Sequence, residues 1–589
     1  MLAALRRRGP DAEHAVSFDA KLARTQGAAP NALIHTRLSI IDLSPDADQP
    51  MSNAAGDLWI AYNGEVYDWA ADAQALRDAG YVFRTRSDTE FILHAYAHWG
   101  IGCIDRLRGM FAIAILDLRQ RCVYLVRDRL GLKPVVYAQR AEGLAFASTV
   151  RALLPWLPPE ARGFSADGID AYLAHRTVPA PRTIIDGVAR LPPAHHLRYD
   201  LATRNVALTE YWRPAPSTQP WLATFDAAIR MRTVADRPLG VFLSSGIDSS
   251  AIACRLAAMG FNRLQSFTAA FPGTAFDESD LAGQAARRLG LPNLAVTMPR
   301  RIDQDFGQII ADLDEPFADP SSVPTWYLSR ETTRHVKVVL GGDGGDEMFG
   351  GYKRYAKHLR TRWRRGVVLS LRRPTPGIGG GGWQRLREEI RLDWRSAYAL
   401  RFSGMTPGER AFLAPEAVPQ AHYWRMPDAR APDDLSTLLE IDRLNYLPDY
   451  VLRKADLCTM AHGLEMRAPF LDHGLVAATL GLHARERFTT PAKRYLAPTL
   501  AALGDLDPFA QKKRGFNPPI AGWLESDLAP RLPGLGHRLE QLTSGLIAAP
   551  RADAFVQHWR THPSSGEQLL QLVILDESLA QLAAAARGD

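Results

Sequence analysis

Residues 244–250, with the sequence Ser-Ser-Gly-Ile-Asp-Ser-Ser, bring hydroxyl groups, one glycine and one carboxylate together in a short stretch. They follow an apolar run typical of a strand and precede an alanine-rich segment that predicts a helix. Hydroxyls and backbone N–H groups at the start of a helix suit a phosphate, and Asp248 suits a phosphate that carries Mg²⁺. The stretch therefore predicts a phosphate site with magnesium; a serine-rich turn is the alternative.

A glycine-rich stretch at residues 341–352 follows the apolar run 336–340, which is typical of a buried strand. Its glycines allow close approach of the backbone, while Asp343, Asp346 and Glu347 supply hard oxygen ligands or acid–base groups. A calcium loop is the alternative, but the spaced acids of an EF-hand are not found. Because nucleotides bind at the carboxyl ends of parallel strands, we expect this stretch at the nucleotide site.

The first stretch resembles the Ser-Gly-Gly-x-Asp-Ser loop of the ATP pyrophosphatases, which split ATP into AMP and pyrophosphate. One residue departs from that pattern, since Ser245 occupies the position of its first glycine. The sequence contains no Gly-x-x-x-x-Gly-Lys-Ser/Thr motif, so the phosphate loop of kinases and GTPases is not predicted.

Polar signals mark the first part of the chain, where short apolar runs typical of strands alternate with turn residues. Each signal alone is consistent with a turn or a surface ion pair. In this order they resemble the class II glutamine amidotransferase domain, an N-terminal-nucleophile hydrolase, over this half except its very beginning. The signals are Arg8-Gly-Pro-Asp, Arg37-Leu-Ser-Ile, Asn63-Gly-Glu, Ser87-Asp and Arg127-Asp-Arg-Leu-Gly.

The resemblance implies a role for each matching residue of a glutamine site. Arg37 would pair with the glutamine carboxylate, and Asp88 and Glu65 would hold the substrate's amino group and the neighbouring backbone. Asn63 and the N–H of Gly64 would form the oxyanion hole that stabilises the tetrahedral intermediate.

The nucleophile of that domain is a cysteine directly after the initiator methionine, and here this position holds Leu2. Cys103 and Cys122 lie in apolar settings that suit packing, and neither Cys254 nor Cys458 is near the N-terminus. The chain as written is therefore not expected to hydrolyse glutamine. Two explanations stay open: an upstream segment supplies the cysteine, a strand and a helix, or the domain lacks glutaminase activity and uses free ammonia. The first is favoured, because a sheet without its first strand would expose an edge.

The second part of the chain carries further motifs at residues 446–456, at 460–472 and at Lys513-Arg-Gly-Phe-Asn. In isolation Glu465 and Arg467 are consistent with a structural ion pair, and Lys513 with a surface lysine. Together with the two loops above, these segments resemble the glutamine-hydrolysing asparagine synthetase family over nearly the whole chain. In that chemistry a carboxylate attacks the α-phosphorus of ATP to give an acyl-adenylate and pyrophosphate, and ammonia then displaces AMP to leave an amide.

The resemblance implies Lys513, Asp343 and Asp346 as catalytic residues. Lys513 would neutralise charge on the phosphoryl and carbonyl oxygens, and Asp343 would orient the intermediate or accept a proton from ammonia. Asp248 and Asp346 would hold Mg²⁺ through the pyrophosphate. The residues implied in ATP and pyrophosphate binding are Leu243, Ser244, Gly246, Asp248, Ser249, Ser250, Gly341 and Gly342.

Aspartate is the predicted acceptor, converted to asparagine through β-aspartyl-AMP. Two departures from the family pattern, Ser245 and Asp343 in place of a glutamate, leave alternatives open. These are a related enzyme that amidates another carboxylate, such as a sugar acid or a peptide, and a non-catalytic relative. The intact Asp248, Asp346 and Lys513 argue against the non-catalytic alternative.

These motifs require two frameworks, and an α/β fold is predicted for both. By the resemblance, residues 1–205 form an N-terminal-nucleophile-type αββα sandwich that is incomplete at its beginning. Residues 206–589 are predicted to form a doubly wound parallel sheet of the ATP-pyrophosphatase type with a helical C-terminal part. The glycines within residues 377–382 predict a flexible surface loop of unassigned use.

The composition of this 589-residue chain, 46% apolar and 23% charged, is typical of a soluble globular protein of two or more domains. Its four cysteines show no Cys-x-x-Cys spacing, which predicts a cytoplasmic protein without a disulfide framework. The apolar runs are too short to span a bilayer and the net charge of +6 is spread along the chain, so neither a membrane nor a nucleic acid is expected as a partner. The expected partners are ATP, aspartate, and glutamine or ammonia; a homodimer is an open alternative.

Overall fold

The computed structural model describes residues 1–27, 29–274, 276–364, 376–378, 381–402, 404–428, 433–510, 518–562 and 566–587. Lys513, a predicted catalytic residue, lies outside the described residues, as do positions 379 and 380 of the predicted glycine loop. The last two positions of that loop begin a helix, Gly381–Glu389.

The first half of the chain consists mainly of antiparallel strands. They are β1 (Ala12–Phe18), β2 (Arg24–Thr25), β3 (Asn31–Arg37), β4 (Met51–Ser52), β5 (Leu58–Tyr67), β6 (Arg108–Asp117), β7 (Cys122–Arg127), β8 (Val136–Arg140), β9 (Gly143–Ala147), β10 (Val188–Arg190), β11 (His195–Asp200) and β12 (Val206–Glu210). A six-stranded sheet has the order β12-β11-β7-β6-β5-β4. Two three-stranded sheets have the orders β2-β1-β3 and β10-β8-β9.

These sheets stack in layers with helices outside. The helices of this half are α1 (Leu2–Leu5), α2 (Ala70–Asp78), α3 (Asp88–Trp99), α4 (Val150–Leu153) and α5 (Ala166–His175). One face of the six-stranded sheet packs on α2 and α3, and its other face packs on both three-stranded sheets. Residues of α4 and α5 pack on the far side of β8. The αββα arrangement is thus confirmed, with its second β layer in two pieces.

The second half is organised around a parallel sheet. Its strands are β13 (Leu239–Phe242), β14 (Gln265–Ala270), β15 (Asn293–Thr297), β16 (Val338–Leu340) and β17 (Glu465–Arg467), in the order β15-β14-β13-β16-β17. All pairings are parallel, and each residue of β16 is buried, as expected for a strand covered on both faces. The carboxyl ends of these strands therefore meet at one edge of the sheet.

Helices make up most of the remaining second half. Four of them pack on the sheet, namely α7 (Ile247–Ala258), α8 (Ser279–Arg288), α10 (Ser322–Thr332) and α17 (Arg453–Met460). The helices are α6 (Trp221–Met231), α7 (Ile247–Ala258), α8 (Ser279–Arg288), α9 (Phe306–Asp312), α10 (Ser322–Thr332), α11 (Gly345–Phe349), α12 (Lys353–Leu359), α13 (Gly381–Glu389), α14 (Trp394–Ala399), α15 (Pro407–Leu413), α16 (Asp434–Leu444), α17 (Arg453–Met460), α18 (His473–Leu480), α19 (Ala484–Arg487), α20 (Ile520–Gly522), α21 (Leu535–Leu542), α22 (Ala549–Thr561) and α23 (Gly566–Arg587). The predicted helical C-terminal part is confirmed.

Helix α23 bears on the expectation that no apolar run of the sequence spans a bilayer. It is the one helix among the described residues that is long and apolar enough to cross a membrane by length and composition. Most of its apolar side chains are instead buried, and it packs against α9, α21 and α22. Such burial is typical of the core helix of a water-exposed protein, and sequence composition alone does not distinguish the two.

Candidate active site

Two loops of the ligase-type half meet at the carboxyl edge of the parallel sheet. The loop after β13 leads into α7, and the loop after β16 leads into α11. The two loops meet because β13 and β16 are neighbouring strands. A Cβ added to Gly345 would lie 2.3 Å from Oδ1 of Asp248, and one added to Gly342 would lie 3.0 Å from the backbone nitrogen of Ser249. Glycine is required at both positions for the loops to approach this closely.

The phosphate loop is held by hydrogen bonds among its own hydroxyls. The Oγ atoms of Ser244 and Ser249 lie 2.9 Å apart, and the N–H of Gly246 donates to Ser244 Oγ at 3.1 Å. Ser245 does not have a left-handed backbone, so the backbone conformation at this position does not require the glycine of the family pattern. Ser250 is only 1% exposed and does not line the cavity, so the structure does not support its predicted contact with pyrophosphate.

Lys493 lies between the two carboxylates that the sequence assigns to magnesium. Its Nζ contacts both Asp248 and Asp346, and its side chain is 5% exposed. Burial disfavours the ammonium, but the two carboxylates outweigh it and raise the pKa of Lys493. Lys493 also has a left-handed backbone, with φ of 67°, which is uncommon for a residue other than glycine. No periodicity or motif in the sequence indicates a role for this residue.

The same geometry tests whether the residues fit Mg²⁺. Asp248 and Asp346 reach one cationic group, so the two carboxylates are close enough to share a cation. No group of three or more His, Cys, Asp or Glu side chains that could hold a metal occurs among the described residues. A pair of carboxylates fits Mg²⁺ that takes its other ligands from phosphates and water, and does not fit a metal bound by protein alone.

Asp343 lies in a more crowded part of the site. Burial raises the pKa of its carboxyl, against the opposing charge of Lys454. The Lys454 ammonium lies 3.4 Å from the Asp319 carboxylate and donates to Ser321 Oγ at 3.0 Å. The hydroxyl of Tyr352 donates to Glu347 Oε1 at 2.7 Å, and burial raises the pKa of Glu347 to about 7.

These groups line one cavity of about 1010 Å³. Its lining includes the loop of residues 244–249, the glycine-rich loop that begins at Gly341, and Lys493. The aromatic side chains of Phe402, Tyr446 and Tyr450 also line it. The predicted residues that the structure brings to this cavity are Leu243, Ser244, Gly246, Asp248, Ser249, Gly341, Gly342, Asp343 and Asp346.

A second cavity of about 720 Å³ lies in the amidotransferase-type half. It is lined by all five residues predicted to bind glutamine, which are Arg37, Asn63, Gly64, Glu65 and Asp88. Asn63 to Glu65 lie on β5, and Asp88 is the first residue of α3, where Ser87 caps the helix by accepting from the N–H of Thr89 at 3.1 Å.

Backbone geometry fixes the glycine of this site. Gly64 has φ of +149°, and an added Cβ would lie 2.0 Å from the carbonyl oxygen of Met110 on the paired strand β6. The Asp88 carboxylate accepts from the Tyr62 hydroxyl at 2.8 Å and from the N–H of Val66 at 2.9 Å. Burial raises the pKa of Asp88 to about 6 against these hydrogen bonds.

Arg37 already has several partners within the protein. Its guanidinium donates to the Ser44 carbonyl at 2.9 Å and to the Asp48 carboxylate at 2.7 Å, and further to the carbonyls of Ile41 and Asp42. These hydrogen bonds use both terminal nitrogens of the guanidinium, so a glutamine carboxylate that paired with two N–H groups of Arg37 would replace at least one of these partners.

Arg467 forms buried ion pairs that connect the two halves of the chain. Arg467, on β17 of the parallel sheet, donates to Glu65 at 2.9 Å and to Glu465 at 2.8 Å. Its carbonyl accepts from the N–H of Gly341, the first residue of the second glycine-rich loop. The sequence indicates the local pair of Glu465 and Arg467 but not the contact with Glu65, which lies 402 positions away.

Comparisons with known proteins agree with this arrangement. The chain matches the asparagine synthase family over residues 221–584 and the glutamine amidotransferase domain over residues 1–212. It is 33% identical over 564 residues to a putative glutamine-hydrolyzing asparagine synthetase of Mycobacterium tuberculosis (strain ATCC 25618 / H37Rv), covering 89% of this chain and 84% of that protein. It is 28% identical over 516 residues to glutamine-hydrolyzing asparagine synthetase 1 of Bacillus subtilis (strain 168), covering 84% and 80%.

Among solved structures, glutamine phosphoribosylpyrophosphate amidotransferase from B. subtilis aligns with 13% identity and a TM-score of 0.27, over 61% of this chain and 73% of that one. This similarity is too low to add to the argument. The family model matches more than half of the chain, and the 33% identity to the M. tuberculosis protein extends over most of both proteins. These two findings are enough to assign the chain to a family. The chain belongs to the asparagine synthetase family of ATP-dependent carbon–nitrogen ligases and carries a glutamine amidotransferase domain.

Proposed function

We propose that this enzyme converts aspartate to asparagine in the cytoplasm, through a β-aspartyl-AMP intermediate. The observation that carries the proposal is the meeting of the phosphate loop, Asp248, Asp346 and Lys493 at the carboxyl edge of the parallel sheet. This is where a nucleotide binds in an open α/β sheet, and the groups present suit the triphosphate of ATP.

In the first step, a carboxylate oxygen of aspartate attacks the α-phosphorus of ATP and pyrophosphate leaves. Ser244, Ser249 and the N–H groups at the start of α7 would bind the pyrophosphate, while Asp248 and Asp346 would hold Mg²⁺ that neutralises its charge. Catalysis here is mainly positioning and charge stabilisation.

Lys493 is the described residue best placed to stabilise the transition state. With Mg²⁺ shared by the two carboxylates, its ammonium would be free to bind the phosphoryl oxygens that gain charge. Lys513 is proposed in the same role from the sequence alone. In the second step ammonia attacks the acyl carbon, AMP leaves, and Asp343 would accept the proton, since its raised pKa makes the carboxyl a stronger base than usual.

We propose glutamine as an ammonia source only with a nucleophile beside Asn63 and Gly64, and free ammonia otherwise. A different acceptor is the second candidate, and the aromatic wall of Phe402, Tyr446 and Tyr450 favours it, because it suits a larger carboxylate than aspartate.

The test is to incubate the enzyme with ATP, Mg²⁺, aspartate and ammonium and to measure asparagine and AMP together. Equal amounts of both, absent when aspartate is omitted, are expected. AMP formation that depends on a sugar acid or a peptide carboxylate, with none from aspartate, would contradict the choice of acceptor and retain the ligase. No AMP from any carboxylate would contradict both.

A further inference from the structure

Arg176, which follows α5, has an unusual backbone. Its φ of 62° and ψ of 3° are left-handed, and its N–H donates to the Tyr172 carbonyl at 2.7 Å at the end of the helix. Glycine is the common residue at such a helix end, because a side chain strains a left-handed backbone. Strained residues cluster where their side chains serve a site, so an arginine at this position indicates a function for its guanidinium.

Arg176 lines the cavity of about 1010 Å³ that contains the phosphate loop. Its guanidinium carbon is 5.8 Å from the centre of the Phe402 ring, which belongs to the aromatic wall of this cavity. Within the part of the chain that the structure describes, its one hydrogen bond runs from Nη2 to the Glu567 carboxylate at 2.5 Å. The Glu567 side chain is 51% exposed, and so exposed a pair is weak in water. The guanidinium can therefore bind an anion that enters the cavity.

Charges of alternating sign follow Arg176 along the lining of this cavity. Burial alone would lower the pKa of the Arg176 guanidinium, but nearby negative charges, of which Glu567 is the largest and Asp319 another, outweigh it and raise the pKa. The Asp319 carboxylate lies 3.4 Å from the Lys454 ammonium. Burial likewise lowers the pKa of Lys454, and the charges of Asp319 and Asp343 raise it. A cation, an anion and a second cation thus lead to the glycine-rich loop of Asp343.

This alternation is complementary to an amino acid that has a carboxylate in its side chain. The α-carboxylate, the α-ammonium and the side-chain carboxylate of such a molecule are negative, positive and negative in turn. A guanidinium is the side-chain group that fits a carboxylate with two parallel hydrogen bonds, and an aromatic ring beside it helps to hold its plane. A sugar acid with one carboxylate and no ammonium would match only one of the three charges.

We propose that Arg176 selects the acceptor of the ligase reaction: its guanidinium binds the α-carboxylate of an amino acid whose side-chain carboxylate attacks ATP, and Asp319 binds the α-ammonium. The inference rests on the proposed function, because it assigns the recognition of that acceptor. Arg176 would touch the end of the acceptor that does not react. Its loss should therefore weaken the binding of the acceptor more than it slows the chemical step.

The test measures AMP formation by the full chain with ATP, Mg²⁺ and ammonium, using either aspartate or β-alanine, which is aspartate without its α-carboxylate. Arg176→Gly removes the guanidinium and suits the left-handed backbone, so the variant is expected to fold. KM for aspartate should rise at least about tenfold, as expected for the loss of a hydrogen bond to a charged group. KM for ATP and kcat/KM for β-alanine should stay within about twofold of the parent values, since neither molecule carries the lost partner.

Two variants complete the comparison. Arg121 also has a left-handed backbone, with φ of 51°, but is exposed and does not line this cavity, so Arg121→Gly should have the parent KM for aspartate. Arg176→Lys keeps a positive charge without the planar fork, and should retain part of the preference for aspartate over β-alanine.

An unchanged KM for aspartate in Arg176→Gly would overturn the inference, as would equal losses with aspartate and β-alanine, which indicate a structural role. AMP formation from glutamate and not from aspartate would contradict the proposed acceptor alone. Arg176→Gly should then lose glutamate but not γ-aminobutyrate, the analogue without the α-carboxylate. AMP formation only from acids with a single carboxylate would contradict the proposed acceptor and the inference together, and no AMP from any acid would contradict the ligase function and the inference with it.

Discussion

The carboxylates of the two cavities differ in the cations that pair with them. In the cavity lined by the loop of residues 244–249, here called the ligase cavity, Asp248 and Asp346 share the ammonium of Lys493. In the glutamine cavity, burial raises the pKa values of Asp88 and Glu65, and Glu65 is paired with Arg467 from the other half. Asp248 and Asp346 thus pair with a cation of their own half of the chain, whereas Glu65 pairs with a cation of the other half.

This difference predicts that the ligase reaction depends on the chain's own side chains, while the glutamine cavity mainly contributes to stability until a nucleophile is supplied.

Replacing Arg467 with methionine should strongly destabilise the protein. The substitution removes the guanidinium that pairs with the buried Glu65, and leaves Glu465 with the Lys133 ammonium at 3.8 Å. Breaking a buried ion pair by removing one partner typically costs about 3–5 kcal/mol in the free energy of unfolding. Urea unfolding measures it. The matched control is Arg334→Met, which breaks an exposed pair with Glu331 and should cost less than about 1 kcal/mol. Equal losses for the two variants would show that the contact between the halves does not stabilise the fold.

Replacing Lys493 with methionine should reduce the rate of AMP formation. Loss of one group that stabilises transition-state charge lowers kcat by about 10²–10³-fold, and Lys493 is the cation in contact with both Asp248 and Asp346. The exposed Lys357→Met is the control and should be near the parent rate. A Lys493→Met enzyme with an unchanged kcat would assign this role elsewhere and favour Lys513.

The raised pKa of Asp88 predicts how stability depends on pH. A carboxyl with a pKa of about 6 when folded and about 3.9 when unfolded binds more protons in the folded state between those values. Its contribution is therefore fully present below about pH 4 and is lost as the pH rises through 6, by roughly 2–3 kcal/mol. Urea unfolding of the parent and of Asp88→Asn across this window measures the difference. A parent slope that the substitution leaves intact would show that other groups cause it.

Gly64→Ala should destabilise the amidotransferase-type half by about 2 kcal/mol or more, because the added Cβ meets the Met110 carbonyl and the backbone is in a region that favours glycine. Thermal unfolding measures the change. Gly163→Ala is the control, since an added Cβ there has nothing within 4 Å and its φ is not left-handed. Similar melting temperatures for the two variants would contradict the tight pairing of β5 and β6 at this point.

Ser245→Gly should have the smallest effect. Because Ser245 does not need a left-handed backbone, restoring the glycine of the family pattern should change kcat/KM for ATP by less than about threefold, equivalent to roughly 0.6 kcal/mol. A larger gain would show that the serine side chain limits the binding of pyrophosphate.

The sequence predicted the parts of the site that depend on local pattern. The strand, loop and helix around residues 244–250 form as expected, and the acids of residues 341–352 reach the same cavity because parallel strands end at one edge of the sheet. The glutamine-binding candidates likewise line one cavity, which follows from the order of their motifs and not from periodicity.

Contacts between distant positions could not be predicted in this way. Lys493 pairs with Asp248, which lies 245 positions earlier in the sequence. Lys493 is an isolated residue with a left-handed backbone and lies outside any helix or strand named above. The contact of Arg467 with Glu65 and the division of the second β layer into two sheets likewise depend on how the two halves and the three sheets pack. A motif alone also does not give the burial of each of its residues. Ser250 is predicted to contact pyrophosphate from its place in the motif, but its side chain is buried in the first turn of α7.

The central claim is that the ligase half activates a carboxylate as an acyl-adenylate. The most direct measurement uses aspartate with ¹⁸O in its side-chain carboxylate, together with ATP, Mg²⁺ and ammonium, followed by mass spectrometry of the nucleotide product. Because the attacking carboxylate oxygen becomes bonded to the α-phosphorus and departs with it, the label should appear in AMP, one atom for each asparagine formed. Label in inorganic phosphate, with ADP as the nucleotide product, would show attack at the γ-phosphorus and would contradict the account.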